Sequence, residues 1–342
     1  MKKYSFKSIQ HRLIVWFLLL SLIPLAATLI ITYYQRIHVI ESGTIEKLTA
    51  IRDLKVERLN EWLSQRRGDI FTASLDTRLT DLDAVINNNS QEQNKTATIK
   101  NIRQVLNRFM NNFSAYAELF IINPNTGTII VSTNKSMEGA DKSNDDYFKI
   151  PMQSREFYIN NIYYSKILSE PAMAYSIPIL CSRHSGKHIV GILVARFDLN
   201  NSLYPVLSDR VGLGKTGETL IVNKDVMALN ALRWHENAPL KLKINAEPAV
   251  KAAQGETGIV RTLDYRGEEV LAAYTYIPET GWGFVCKQDL YELNAPVRDL
   301  IRNFIILFVV ISILILFTAI YISKTISKPI IDVNITTQKI KE

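Results

Sequence analysis

Two stretches of the chain carry no charge, and together they bracket everything else. Leu13–Tyr34 (LIVWFLLLSLIPLAATLIITYY) is uncharged for 22 residues, which as a helix spans roughly 33 Å, the thickness of a bilayer core. Phe304–Ile322 (FIILFVVISILILFTAIYI), bounded by Arg302 and Lys324, is long enough to do the same. The pattern predicts two transmembrane helices, residues 13–34 and 303–323. A cleaved signal peptide is the alternative for the first. It is disfavoured by the length of the run and by the lack of a small-x-small cleavage site after it. Beyond the first span, Ile45, Leu48, Ile51, Leu59, Trp62, Leu63 and Ile70 recur at threes, fours and their sums. That spacing predicts one face of a helix continuing out of the membrane. An Asn-rich loop, Asn87–Asn94, ends it, and Ile99, Ile102, Leu106, Phe109 and Phe113 predict a second amphipathic helix.

The period then shortens to that of strands. Glu118–Ile122, the turn Asn123-Pro124-Asn125-Thr126-Gly127 and Thr128–Ser132 read as a hairpin. Ala172–Cys181 and Ile189–Phe197, joined by a polar turn around Ser185-Gly186-Lys187, add two more strands. Further on, Glu218–Val222 and Met227–Leu229 repeat the hairpin in shorter form. A short helix near Ala249–Ala253 precedes the strands Gly258–Leu263, Val270–Ile277 and Gly283–Lys287. The expected fold class is α+β: a long N-terminal helix and two tandem antiparallel-sheet units, flanked by the two spans. The expected divisions are residues 1–12 (cytoplasmic), 35–75 (long helix), 76–205 (membrane-distal unit), 206–302 (membrane-proximal unit) and 324–342 (cytoplasmic linker).

Charge narrows the functional classes. The net charge is +7, but Lys2, Lys3, Lys7 and Arg12 crowd one end, and Lys324–Glu342 holds four lysines against two acids. The remainder is close to neutral, so no basic face is available for nucleic acid. Both basic clusters flank the spans on the side that the positive-inside rule assigns to the cytoplasm, which puts residues 35–302 outside. A transporter or channel would need ionisable groups in its spans, and these hold only Ser21, Thr28, Thr32, Ser312 and Thr318 as polar residues with short side chains.

Enzyme motifs are not found. Gly212-Leu213-Gly214-Lys215-Thr216 has Asp209 where a phosphate loop needs its first glycine, His235-Glu236 has Pro239 where a zinc protease needs its second His, and no G-x-S-x-G occurs. The five His show no metal-ligand spacing, so neither a metal nor a cofactor is expected. Cys181 and Cys286 form no disulfide framework and are expected to be small buried residues.

The outer region resembles the double Cache family of tandem, PAS-like extracytoplasmic sensors. The matching pieces are LTAIRDLKVERLNEWLSQRRGDI (Leu48–Ile70), DDYFK (Asp145–Lys149), IYYSKILSEPAMAYSIPI (Ile162–Ile179), GLGKTGETLIVNKD (Gly212–Asp225) and YIPETGWGFVCKQD (Tyr276–Asp289). The resemblance implies a distal pocket for a small ligand and a proximal unit that relays. Tyr147, Phe148, Phe157, Tyr158, Tyr163, Tyr164 and Tyr175 are expected to wall that pocket; each alone is also an ordinary strand aromatic. In amino-acid-binding members an Arg-x-Trp-Tyr element holds the carboxylate and a later Asp the ammonium. Here Asp145-Asp146-Tyr147-Phe148 stands at the first element, without its Arg, while Asp198 matches the second. Arg196 shares the strand face of Asp198, and Asp198 is equally read as a helix cap. The expected ligand is an amino acid, an amine or an organic anion.

Past the second span, Ile326, Ile330, Val333, Thr337 and Ile340 fall at a/d heptad spacing, and ISKPI (Ile326–Ile330) resembles the opening of a HAMP linker. A basic amphipathic flank is the alternative. A heptad seam needs a partner, so a homodimer in the lipid bilayer is expected. The chain is expected to be the sensor part of a receptor with a cytoplasmic output, a histidine kinase first, because Trp62–Ile70 resembles those. Chemoreceptors and diguanylate cyclases carry the same sensor, and an extracytoplasmic protein-binding module is the remaining alternative.

Overall fold

The computed structural model describes residues 7–87, 92–112, 115–165, 168–181 and 188–340. The turn expected around Ser185-Gly186-Lys187, the middle of the Asn87–Asn94 loop, and Phe113 lie outside them, as do the side chains of the expected heptad seam. The chain divides into two units, one of residues 1–44 with 290–342, the other Ile45–Asp289.

The first unit is helical. Helix α1 runs Lys7–Ser74 and carries Pro24 inside it. Thr28 Oγ1 there donates to the Pro24 carbonyl at 2.8 Å. Helices α7 (Leu290–Leu293) and α8 (Ala295–Ile340) close the chain. Both α1 and α8 contain stretches long and apolar enough to cross a membrane.

In the second unit, α1 turns one face inward. Thr44 at its boundary and Leu48, Arg52, Lys55, Leu59, Leu63 and Ile70 are buried at the threes and fours of an amphipathic helix. Two of these are cations, and each donates to carbonyls: Lys55 Nζ to Val206 and Asp209, both at 2.7 Å, and Arg52 to Tyr274 at 3.4 Å. Burial lowers the Lys55 pKa, against the pull of Asp209. Helices α2 (Leu82–Ile86) and α3 (Glu92–Asn112) follow.

The first sheet, called distal only after the expected division of the chain, holds β1 (Tyr116–Ile122), β2 (Ile129–Ser132), β3 (Tyr158–Ser165), β4 (Glu170–Cys181) and β5 (His188–Phe197) in the order β2-β1-β5-β4-β3, with α4 (Asp146–Ser154) between β2 and β3. One face, built from Phe120, Ile122, Ala174, Ile192 and Val194, is covered by Tyr147 and Phe148 of α4. The other carries Tyr116, Tyr175 and Phe197, with Phe197 against Trp62 of α1 at 5.3 Å between ring centroids. Because both faces are covered, β4 and β5 are buried almost throughout, which explains their near-continuous apolar sequence.

Strand β3 is missing from the sequence expectation. It is an edge strand, half polar, and its register slips between Asn160 and Tyr163; a bulge of this kind breaks the alternation that marks a strand.

After α5 (Tyr204–Ser208) comes the proximal sheet, β6 (Glu218–Val222), β7 (Gly258–Leu263), β8 (Glu269–Ile277) and β9 (Trp282–Asp289), ordered β6-β9-β8-β7, with α6 (Glu247–Ala253) before β7. The expected strand Met227–Leu229 makes only single bridges, Val222 to Ala228 and Met227 to Lys243. Ala228 of this segment serves another purpose: with Leu232, Ala238 and Ile244 of the loop that follows, it caps the sheet over Leu220, Val222, Ala272 and Val285. Burial of those residues, not ladder pairing, accounts for the apolar pattern.

Gly217 leads into β6 where backbone passes close. A Cβ placed there would lie 2.0 Å from the Leu213 carbonyl oxygen and 2.5 Å from the Leu213 Cβ. Gly217→Ala must push the backbone apart, and we expect a loss of about 1–3 kcal/mol, measured as a lower urea midpoint with an unchanged slope.

Candidate functional site

The α4 side of the distal sheet gathers five of the expected residues, Arg196, Tyr147, Phe148, Tyr163 and Tyr158. Arg196 and Glu118 are cross-strand partners on β5 and β1, and the Arg196 Nη1 donates to Glu118 Oε2 at 2.5 Å with both side chains almost wholly buried. Arg196 Nε donates to the Tyr163 hydroxyl at 3.3 Å, and its guanidinium lies over the Phe120 ring, 5.3 Å from the centroid. Phe120 meets Tyr147 edge-on at 6.0 Å. The Tyr147 hydroxyl donates to Asp145 Oδ2 at 2.5 Å, and Phe148 closes the apolar floor beside it. Glu118 also accepts from Ser132 Oγ at 2.9 Å.

These contacts fix the charges. Burial works against the Arg196 charge, but Tyr163 and Glu118 outweigh it, so its pKa lies above the ordinary arginine value. Burial, reinforced by Asp145, raises the Tyr147 pKa. Burial also raises that of Tyr163, against the opposing pull of Arg196. Both tyrosines therefore stay neutral hydroxyls at physiological pH. The site offers a compensated cation–carboxylate pair, two fixed phenols, an acid at the N-terminus of α4 and aromatic walls, which suits a small solute that is part apolar and part polar.

Four expected residues, Tyr175, Phe157, Tyr164 and Asp198, stand elsewhere. Tyr175 pairs with Ala195, one residue out of phase with Arg196, so it faces α1 and contacts Phe157 at 5.0 Å and Phe197 at 4.8 Å. The expectation of a single pocket wall is corrected for it and for Phe157. Tyr164 points away from its neighbour Tyr163; it is 51% exposed and donates to the Ser169 carbonyl at 3.1 Å. Asp198 lies just beyond β5 and holds Asn201, accepting from its backbone N–H at 3.2 Å and its side-chain amide at 2.7 Å. Asp198 thus holds the turn that precedes α5, whose N-cap position is Leu203 without a side-chain cap, so the expected helix-capping role does not fall to it. Tyr158, by contrast, packs on the α4 side with Tyr163.

Sequence reasoning missed Glu118 as a site residue, although a signal was present. It sits two and four residues before Phe120 and Ile122 on the inward face of β1, where an acid is exceptional unless paired. On the α1 side a separate groove of about 940 Å³ is bounded by Arg67, Phe71, Arg155, Phe157 and Ile177. It shares none of its lining with the Arg196 cluster.

A second polar cluster lies on the β6-β9-β8-β7 sheet and the loop between β7 and β8. Lys287, nearly unexposed, places Nζ 2.5 Å from Asp264 Oδ2 and 3.1 Å from Glu218 Oε2. Tyr265 donates to the same Glu218 at 2.9 Å, and Arg266 joins Asp264 to Asp289 with its guanidinium 3.5 Å from the Trp234 ring centroid.

With the two sheets and the α4-side site in view, the comparisons with known proteins agree with the architecture. The family model described as Cache domain, in its double form, matches residues 49–297, so the chain belongs to the Cache family. Among solved structures it is similar to the ligand-binding domain of the Campylobacter jejuni chemoreceptor Tlp3 in complex with 4-methylisoleucine, with a TM-score of 0.56 at 15% identity over 75% of this chain and 95% of that one. It is also similar to the ligand-binding domain of the Pseudomonas aeruginosa PAO1 amino-acid chemoreceptor PctC in complex with GABA (TM-score 0.52, 18% identity, 72% of this chain and 100% of that one). The ligand-binding domain of Mlp24 with asparagine is a third (0.52, 14%, 76% and 98%). At these identities the likeness is one of fold. No curated protein matches the sequence significantly.

Proposed function

We propose that the chain is the sensor region of a two-span receptor in the plasma membrane, with residues 35–302 outside. It binds a small amino compound, amino acids included, on the α4 side of the distal sheet. The carrying observation is the cluster of Arg196, Glu118, Tyr163 and Tyr147 at that place. Asp145 at the head of α4 and the aromatic faces together favour an ammonium group, while Arg196 and Glu118 compensate one another, which disfavours a simple anion. Phe148 supplies apolar contact; Asp198, Tyr164 and Tyr175 have no part in this reading. The solved structures of the neighbours named above hold 4-methylisoleucine, GABA and asparagine, which supports the ligand class.

Within the Ile45–Asp289 unit a physical route links the distal and proximal sheets. Asn161 of β3 donates to the Thr280 carbonyl in the β8–β9 turn at 2.8 Å, and Tyr204 donates to Leu229 at 2.8 Å. A ligand that favours one arrangement of these contacts shifts the receptor by its differential affinity alone, typically about 1–3 kcal/mol. The signal then passes through α8 to a cytoplasmic output in a homodimer. Resemblance of Trp62–Ile70 favours a histidine kinase, and the named neighbours favour a chemoreceptor.

Thermal unfolding of the detergent-solubilised chain against a panel of amino acids and amines tests the ligand reading. A ligand at 100 times its dissociation constant adds about 2.7 kcal/mol, and Tyr163→Phe, which keeps the packing, diminishes that gain. Absence of stabilisation by every amino compound, in a folded sample, refutes it.

A further inference from the structure

The β4–β5 hairpin ends in a group of residues that no part of the sensor reading uses. Cys181 and His188 are directly opposed cross-strand partners, and Asp83 of α2 reaches them from far upstream. His188 Nε2 lies 2.9 Å from Asp83 Oδ1, and the ligand atoms of Asp83, Cys181 and His188 all fall within 4.8 Å of one another. We propose that these three residues bind a divalent zinc-type cation.

The donor set selects the ion. A thiolate with an imidazole suits zinc and its borderline-soft relatives, whereas calcium and magnesium want oxygen donors alone. Tetrahedral zinc, with bonds of about 2.3 Å to sulfur and 2.0–2.2 Å to nitrogen and oxygen, sets ligand separations near 3.3–3.7 Å. The present spread closes to that with a shift of about 1 Å, and the His188–Asp83 hydrogen bond opens by a few tenths. Three protein ligands leave the fourth position for water.

The surroundings fit as well. Cys181 is wholly buried, while 42% of the His188 side chain faces solvent and gives the ion its approach. Asn87 Nδ2 donates to Asp83 Oδ1 at 2.8 Å, a contact of the kind that orients a ligating carboxylate. On binding, the Cys181 thiol gives its proton to solvent and its sulfur lone pair to the metal, with no redox step. The expectation of no metal site rested on histidine spacing along the chain. Spacing of histidines alone does not reveal this group, because Asp83 comes to the Cys181–His188 cross-strand pair from 105 residues upstream of His188.

The test uses the whole chain, without a histidine tag, in detergent and a non-chelating reductant. Titration with Co²⁺ is expected to give one equivalent bound, with a thiolate-to-cobalt charge-transfer absorption that Zn²⁺ displaces. Cys181→Ala should remove that absorption and Cys286→Ala should leave it. His188→Ala, a change at a part-exposed side chain, should leave the metal-free chain folded, as read by circular dichroism, and weaken Zn²⁺ binding by more than about 100-fold, beyond what loss of an outer-shell contact produces. The proposal is overturned if folded protein shows no thiolate band, if the band follows Cys286, or if His188→Ala binds Zn²⁺ as tightly as the parent chain.

Discussion

Glu118→Ala is expected to lower the stability of the sensor by about 3–5 kcal/mol, because it strands the Arg196 guanidinium in an interior it cannot leave. The magnitude follows from burial: the two side chains are 2% and 5% exposed, so water cannot replace the lost carboxylate. Tyr163 remains as a hydrogen-bond acceptor for Arg196 and Phe120 as a ring beneath it, but neither carries a full negative charge. Against a typical total of about 5–15 kcal/mol for a folded domain, this is a large fraction. Replacing both partners with apolar residues, Glu118→Leu with Arg196→Met, should recover most of the loss, since a buried pair is often no more stable than hydrophobic side chains of similar volume. Urea unfolding followed by tryptophan fluorescence reads the difference, with Trp62 on the distal sheet's α1 side as reporter. A loss below about 1 kcal/mol for the single substitution would mean that the pair is solvated. The double variant also separates stability from recognition: if it folds but no longer responds to amino compounds, the polar pair serves the ligand.

The parts of this molecule that the sequence makes legible are those where one physical requirement dominates. The two helical stretches long and apolar enough to cross a membrane are plain because lipid demands long uncharged runs, and β4 and β5 because a sheet covered on both faces must be apolar on both. The inner face of α1 is readable through Leu48, Leu59, Leu63 and Ile70, yet Arg52 and Lys55 on the same face are not, since carbonyls brought by later segments satisfy them. The candidate site was half legible for a related reason. Aromatic residues clustered between Tyr147 and Tyr175 announce a packed region, but which of them share a face depends on register. A slip of one residue sends a side chain to the opposite side of the sheet. The bulge between Asn160 and Tyr163 and the one-residue offset of Tyr175 from Ala174 therefore decide which rings meet Arg196. Pairing likewise hides the partnership of Glu118 with Arg196, which are 78 residues apart in the chain.

Lys287→Met is the second change of large expected effect, and its pH dependence distinguishes it from a simple packing defect. Lys287 lies between Asp264 and Glu218, all three almost unexposed. Removing the ammonium leaves two carboxylates facing each other in the proximal core, with Arg266 and Tyr265 as remaining partners. We expect a loss of about 3–5 kcal/mol at neutral pH. Burial acts to raise the Asp264 pKa, but the hydrogen bond and charge of Lys287, followed by Arg266, outweigh it and hold the carboxyl below its ordinary value. A depressed folded-state pKa means that the group's contribution is complete above the unfolded value of about 3.9 and disappears as the pH falls through the lower folded value. The parent protein should therefore lose stability as the pH falls below about 4. In Lys287→Met the Asp264 pKa rises toward or past its ordinary value, so that part of the acid-induced loss shrinks or reverses sign. Melting temperatures of both proteins between neutral pH and about pH 3 give the comparison, with Trp234 and Trp282 reporting on the proximal unit. Parallel curves for the two proteins would show that Lys287 acts by filling space alone.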